Sequence, residues 1–134
     1  MVFLDPQTRG ILGLIGGRPT SAPGFNRAFQ ARRQAGSTFK TFVFGAGLES
    51  GALTIESSYK DSPVTYRGAG GKWSPKNAGY RYSNQMMSID QALAASSNVV
   101  AVKALKDVGV AQMASFAAKI GPTSSSVGKS SFSA

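Results

Sequence analysis

The stretch Phe25-Asn26-Arg27-Ala28-Phe29-Gln30-Ala31-Arg32-Arg33-Gln34-Ala35-Gly36-Ser37-Thr38-Phe39-Lys40 decides how this chain is read. It places a serine three residues before a lysine, where a polar loop gives way to an apolar run. The apolar positions that follow, Phe39, Phe42, Val43, Ala46 and Leu48, have helical spacing and predict a buried helix from Ser37. On such a helix Ser37 and Lys40 sit one turn apart on one face, so the lysine can take the serine's proton. The helix N-terminus also favours negative charge developing on the serine oxygen. Gly45 and Gly47 each cost roughly 1 kcal/mol against alanine within a helix, which predicts tight packing there. Gly51 reads as the end signal.

Composition narrows the chemistry. The 134 residues form at most one domain, and at 42% hydrophobic they can bury a core. There is no histidine and no cysteine, which excludes Ser-His-Asp and Cys-His catalysis and metal sites built on those ligands. The six carboxylates, Asp5, Glu49, Glu56, Asp61, Asp90 and Asp107, are scattered, so no paired-carboxylate centre is evident. Hydroxyl nucleophiles and lysine bases remain. No metal and no cofactor is expected. The net charge of +9 suits nucleic acid, anionic lipid or an anionic wall polymer, and equally a merely basic surface. Among the basic residues only Arg32 and Arg33 are adjacent, no stripe of five or more appears, and no aromatic and basic platform accompanies them, so nucleic-acid binding through Arg27, Arg32 and Arg33 ranks last. No apolar segment is long enough to cross a bilayer, and the N-terminus has no signal-peptide pattern.

Along the chain, Val2-Phe3-Leu4 and Ile11-Leu12-Gly13-Leu14-Ile15 flank turn formers and predict a β-hairpin, closed by Gly16-Gly17-Arg18-Pro19. Residues 52 to 87 read as a long irregular loop. Ser88-Ile89-Asp90-Gln91 is a capping box and starts a short helix through Ala95. Ser96-Ser97-Asn98 interrupts it. A helix through Val99, Val102 and Leu105 to Val108 follows, stopped by Gly109. Another spans about Val110 to Ile120, with Met113, Phe116, Ala117 and Ile120 on one face and Gly121-Pro122 at its end. The serine-rich tail over 122–134 is expected to be disordered or truncated.

Serine-x-x-lysine occurs three times: Ser37–Lys40, Ser57–Lys60 and Ser126–Lys129. Only the first opens a predicted helix; its plainer reading is a helix-capping serine beside a solvated lysine. Ser96-x-Asn98 falls between two helices, where a serine can pass a proton and an asparagine amide can hold a carbonyl. Its plainer reading is that Asn98 caps the next helix. Lys40 as a base must be neutral at working pH, although a lysine ordinarily keeps its proton to about pH 10.4. Burial on the apolar helix face is one way to lower that value.

Together these residues resemble the transpeptidase domain of penicillin-binding proteins of the bifunctional class A type, a family marked by S-x-x-K, S-x-N and K-T-G elements. The block from Phe25-Asn26-Arg27-Ala28 through Gln30-Ala31, Arg33-Gln34 and Gly36-Ser37 to Phe39-Lys40 resembles the family's nucleophile segment. Trp73-Ser74-Pro75-Lys76-Asn77 is similar to the loop before the second motif. Ala92-Leu93-Ala94, Ser96 and Asn98-Val99 resemble the second motif itself, and Leu4-Asp5-Pro6 through Gly16-Gly17 the first sheet hairpin. The resemblance runs from about residue 2 to 121. It implies an α/β fold of the serine transpeptidase and β-lactamase-like kind, seen as its N-terminal part: sheet hairpin, nucleophile helix and a helical subdomain over 88–120. Residues 1–121 would be a partial penicillin-binding transpeptidase domain.

By that resemblance Ser37 would be the acylated nucleophile, Lys40 its base and Ser96 a proton shuttle, with Asn98 holding the substrate. The activity implied is D,D-transpeptidase acyl transfer in peptidoglycan cross-linking, with carboxypeptidase as its hydrolytic counterpart. Partners would be peptidoglycan stem peptides and β-lactams. The parent chain would be membrane-anchored and act on the extracytoplasmic face of the bacterial cytoplasmic membrane. Alanine at 35 and threonine at 41 stand where the family usually has proline. No Lys-Thr-Gly or Lys-Ser-Gly occurs, and Lys129-Ser130-Ser131 has the wrong third residue. In the family the strand bearing the Lys-Thr-Gly motif supplies an oxyanion-hole amide, and losing one such donor costs roughly 100- to 1,000-fold in rate. The chain is thus expected to be a fragment of a longer protein with an incomplete site, weak or inactive by itself. The alternative is a non-catalytic module that binds cell wall.

Overall fold

The structure, a computed structural model, describes residues 1–18, 24–28, 30–68 and 70–120. The expected tail over 122–134 lies outside them, as do the Ser126–Lys129 spacing, the Gly121-Pro122 stop and Phe29. The described residues form two compact units, one from those of Met1–Gln34 together with 118–120, the other from those of Ala35–Ala117.

In the first unit the expected hairpin is present. Strand β1 (Val2–Leu4) pairs antiparallel with β2 (Ile11–Leu14), Val2 opposite Leu14 and Leu4 opposite Ile11, with an irregularity between Phe3 and Leu4. The Asp5 carboxylate accepts from the backbone N–H groups of Gln7 and Thr8 at 2.7 and 3.0 Å, which folds the turn. The large apolar side chains Phe3, Leu12 and Ile15 are exposed.

The second unit is built on α1 (Phe39–Ser50), preceded by one 3-10 turn over Gly36–Thr38 and ended by Gly51 in the left-handed conformation, φ 73°. Its stripe differs from the sequence expectation. Lys40, Val43, Phe44, Ala46 and Gly47 are buried, Phe39 and Phe42 pack against the core half-buried, and Leu48 is exposed. A helix enclosed on several sides has no single apolar face, so spacing alone selects its stripe poorly. The two glycines behave as expected. A Cβ on Gly45 would lie 2.8 Å from the Phe116 ring, and one on Gly47 would lie 2.4 Å from Leu53 and 2.9 Å from Val108.

The helices after residue 88 follow the sequence reading: α2 (Ile89–Ala94), α3 (Asn98–Val108) and α4 (Val110–Ile120). The Gln91 carboxamide accepts from the Ser88 backbone N–H at 3.2 Å, as its capping-box position predicts. Helices α1 and α3 pack together around Val43, Ala46, Val100, Ala101 and Ala104. Small side chains on both helices permit the close approach. On α4, Met113 is buried and Phe116 half-buried, whereas Ile120 is exposed.

The expected irregular loop over 52–87 is instead structured. Strand β3 (Ser58–Lys60) pairs antiparallel with β6 (Met86–Ser88), and β4 (Tyr66–Gly68) with β5 (Gly71–Trp73). Each strand has three residues, too few for alternation to register, and Tyr59, Tyr66 and Trp73 are the β-favouring residues within them. The Tyr66 and Trp73 rings meet across one pair at 6.1 Å. The elements are mixed α and β, helices together with two-stranded antiparallel sheets.

Candidate active site

Ser37 lies on the 3-10 turn that leads into α1, and Lys40 follows on the first turn of α1. Ser37 is exposed and Lys40 is buried, with 7% of its surface accessible. Lys40 Nζ donates to Ser37 Oγ at 3.2 Å, to Ser96 Oγ at 2.8 Å and to the Ser96 carbonyl oxygen. The lysine therefore joins two serines that lie 59 positions apart in the chain. No carboxylate is among these three partners. Burial lowers the Lys40 ammonium from its ordinary value. The solvated lysine of the plainer reading is not what forms, and Ser37 makes no side-chain capping bond to α1.

Ser96 owes its placement to the end of α2. The Ser96 N–H donates to the Leu93 carbonyl at 3.0 Å and the Ser97 N–H to the Ala92 carbonyl at 2.9 Å. This is a Schellman closure, and Ser96 occupies its left-handed position at φ 52°, one that glycine usually fills. A serine there costs on the order of 1 kcal/mol in backbone strain. The strained turn sets both Ser96 oxygens on the lysine.

Asn98 is the first residue of α3 and does not cap it; Ser97 does, its hydroxyl accepting from the Val100 N–H at 3.1 Å. The Asn98 carboxamide donates to the Lys76 carbonyl at 2.7 Å. Three residues that the sequence reading did not place in the site, Ser97, Asn77 and Asp61, stand behind it. Asn77 Oδ1 accepts from the Asn98 and Val99 N–H groups at 2.8 and 3.1 Å. The buried Asp61 carboxylate accepts from Ser97 Oγ at 3.0 Å, Asn77 Nδ2 at 2.7 Å and the Ser83 N–H at 2.9 Å. Burial pushes the Asp61 carboxyl up, but these hydrogen bonds outweigh it and hold the group below its ordinary value. The only signal for Asn77 was its place in the Trp73-to-Asn77 segment, and Asp61 carried none.

A cleft of about 300 Å³ is lined by Ser37, Ser96 and Asn98, with Asp61, Asn77 and Arg81 among its other lining residues. The second serine–lysine spacing forms no comparable pair, since Ser57 Oγ accepts from the Thr54 N–H and Lys60 lies on β3. Among the described residues no three His, Cys, Asp or Glu side chains gather as a metal site, and no helix is long and apolar enough to cross a membrane.

A buried lysine holding two serine hydroxyls, on a helix packed within a mixed α/β unit, defines a serine–lysine domain. The chain belongs to the family of penicillin-binding protein transpeptidase domains, whose family model matches residues 1–129. It is 39% identical over 128 residues to penicillin-binding protein 1A of Neisseria meningitidis serogroup A, covering 93% of this chain and 16% of that protein. It is 36% identical over 123 residues to penicillin-binding protein 1A of Escherichia coli K12, covering 90% of this chain and 14% of the relative. The crystal structure of penicillin-binding protein 1A from Haemophilus influenzae is similar to 69% of this chain, with TM-score 0.62 and 38% identity, over 14% of its own length. The fold expected from sequence, part of a serine transpeptidase-type α/β domain, agrees with that neighbour. The chain spans only about a seventh of the length of these relatives.

Proposed function

We propose that this chain carries the acyl-transfer centre of a D,D-transpeptidase that cross-links peptidoglycan, with Ser37 as nucleophile, Lys40 as its base, Ser96 as proton relay and Asn98 as substrate holder. The observation that carries the reading is the single Nζ shared by two serine hydroxyls in a buried place. A neutral amine has two N–H groups and one lone pair. Its N–H groups serve the Ser96 carbonyl and hydroxyl, and its lone pair then takes the Ser37 proton. The Ser37 oxygen attacks the carbonyl carbon of the D-Ala-D-Ala bond and forms a tetrahedral intermediate. The proton passes from Lys40 through Ser96 Oγ to the leaving D-alanine nitrogen, the C–N bond breaks, and an ester to Ser37 remains. An amine of a second stem peptide attacks that ester, forms the cross-link and returns the proton to Ser37; water in its place gives carboxypeptidase. The Asn98 carboxamide oxygen has no partner among the described residues and is suited to accept a substrate amide N–H.

A β-lactam enters the same path, its ring opening onto Ser37. The longer protein acts outside the cytoplasmic membrane, where its substrate lies. These 134 residues carry no Lys-Thr-Gly, so by this reading the isolated chain acylates slowly.

The test is covalent labelling with a fluorescent penicillin, with the modified peptide located by mass spectrometry. Slow label on Ser37, lost in Ser37→Ala and Lys40→Met, supports the proposal. Label on another serine overturns it. Retention on peptidoglycan with no label after any exposure, unchanged in Ser37→Ala, overturns it in favour of a wall-binding module.

A further inference from the structure

A hydroxyl relay works only while its oxygen stays on the lysine, yet Ser96 is itself exposed and held in a strained turn. What restrains that turn lies one residue on and beneath it. Ser97 is 4% exposed and Asp61 3%. The single Ser97 hydroxyl hydrogen points to Asp61, 3.0 Å away, or to Asn77 Oδ1, 3.3 Å away, while its oxygen accepts from the Val100 N–H. Asp61 is anchored by its own backbone, its N–H on the Gln85 carbonyl and its carbonyl on the Asn84 N–H, both at 2.9 Å. Asn77 is tied at its other end to the Arg81 carbonyl at 3.1 Å. Its oxygen takes the two N–H groups that start α3, the helix on which Asn98 stands.

We propose that Asp61, Asn77 and Ser97 are positioning residues, a clamp of a buried carboxylate, a half-buried carboxamide and a buried hydroxyl that fixes the Ser96 oxygens on Lys40 and sets Asn98 at the start of α3. The clamp touches none of the groups assigned to the reaction except through backbone. Removing it frees the turn to relax, because a non-glycine residue leaves the left-handed region when nothing compels it to stay. This inference rests on the reading of Ser37, Lys40 and Ser96 as an acyl-transfer centre, but its geometric content can be measured without catalysis.

The test uses the whole chain with carbon-13 at the lysine ε position and follows the Lys40 titration by NMR, assigned with Lys40→Arg. Ser97→Ala is the decisive variant because it keeps every charge, including Asp61 on one side and Lys76 and Arg81 at the neighbouring clefts. Loss of the two Ser96 acceptors leaves a buried ammonium with less compensation. The Lys40 midpoint is therefore expected to fall by half a pH unit or more in Ser97→Ala, and likewise in Asn77→Ala. Met113→Ala, which loosens a remote part of the same core, serves as a control for destabilisation and is expected to leave the midpoint in place. An unchanged or raised midpoint in folded Ser97→Ala overturns the clamp, as does an equal fall in Met113→Ala. If Asn77→Ala fails to fold, Ser97→Ala decides alone; if that also fails, exchange of the Asn98 and Val99 amides in Asn77→Ser, no faster than in wild type, overturns it. Where the wild type labels with penicillin, Ser97→Ala is expected to slow acylation at least tenfold. A wild type that never labels refutes the acyl-transfer reading while leaving the Lys40 measurement to judge the clamp.

Discussion

Lys40 Nζ lies 2.8 Å from the Ser96 hydroxyl, although 56 positions separate the two in sequence. The contact depends on two helix ends: the first turn of α1, which carries the lysine, and the Schellman closure of α2, which turns Ser96 to φ 52°.

Strain and function are separable at Ser96. Ser96→Ala deletes the hydroxyl and keeps the left-handed strain, losing a hydrogen bond worth about 1 kcal/mol. Ser96→Gly deletes the same hydroxyl but relieves the strain, and is expected to be more stable than Ser96→Ala by about 1 kcal/mol in urea unfolding. Penicillin labelling should fall in both, by roughly 100- to 10,000-fold if the hydroxyl relays a proton. Equal stability of the two variants would show that the turn is not strained.

Lys40 sets a pH dependence of stability. Its ammonium is lowered by burial in the folded chain, so between that lowered value and about 10.4 the unfolded chain binds more protons. Stability therefore rises with pH across that window, and the penalty of burying the charge is full below it. Tyr59, raised by burial and then by its hydrogen bond to Asp107, acts oppositely, but only above about pH 10. Urea midpoints are expected to climb in the wild type as pH rises toward about 10.4 and to stay flatter in Lys40→Met, which should also be the more stable at pH 7.

Much of this arrangement was legible because it is written in local signals. Gly51, Gly109 and the Ser88–Gln91 pair mark helix ends that residues within one turn determine, and Gly45 and Gly47 announced close packing by their cost. Ser37 and Lys40 are neighbours on one turn, so their approach followed from spacing. The strands between 58 and 88 were not legible because three-residue strands carry no period. Asp61 was passed over as one of six scattered carboxylates, because a buried carboxylate is recognised by its donors, and Ser83, Asn77 and Ser97 are 16 or more residues away. Phe44 and Leu48 exchanged their expected places because α1 is covered on several sides.

Asp61 predicts the acid limb. Its carboxyl lies below the ordinary value of about 3.9, so its contribution is complete above that pH and is lost as pH falls toward the lowered value. Asp5 and Asp90 are lowered as well, by hydrogen bonds at the surface. Unfolding midpoints from pH 5 down to pH 2 should therefore fall in the wild type. Asp61→Asn is expected to be less stable at pH 5 and to show a shallower fall, because the titrating group is gone. A fall as steep as that of the wild type would place the acid sensitivity elsewhere.

The glycines of α1 give the last and most direct test of packing. Alanine is the better helix former by about 1 kcal/mol, so at an open site Gly→Ala stabilises. At Gly47 the new methyl would sit 2.4 Å from Leu53 and 2.9 Å from Val108, both buried and unable to withdraw without opening the core. At Gly45 it would sit 2.8 Å from the half-buried Phe116 ring, which can turn toward solvent. Overpacking typically costs about 1–3 kcal/mol. Gly47→Ala is expected near the upper end and Gly45→Ala near the lower end, with the propensity gain already counted. Denaturant unfolding of the two variants checks both sign and order, and Gly47→Ala at wild-type stability would mean that α1 and α3 stand farther apart than the structure places them.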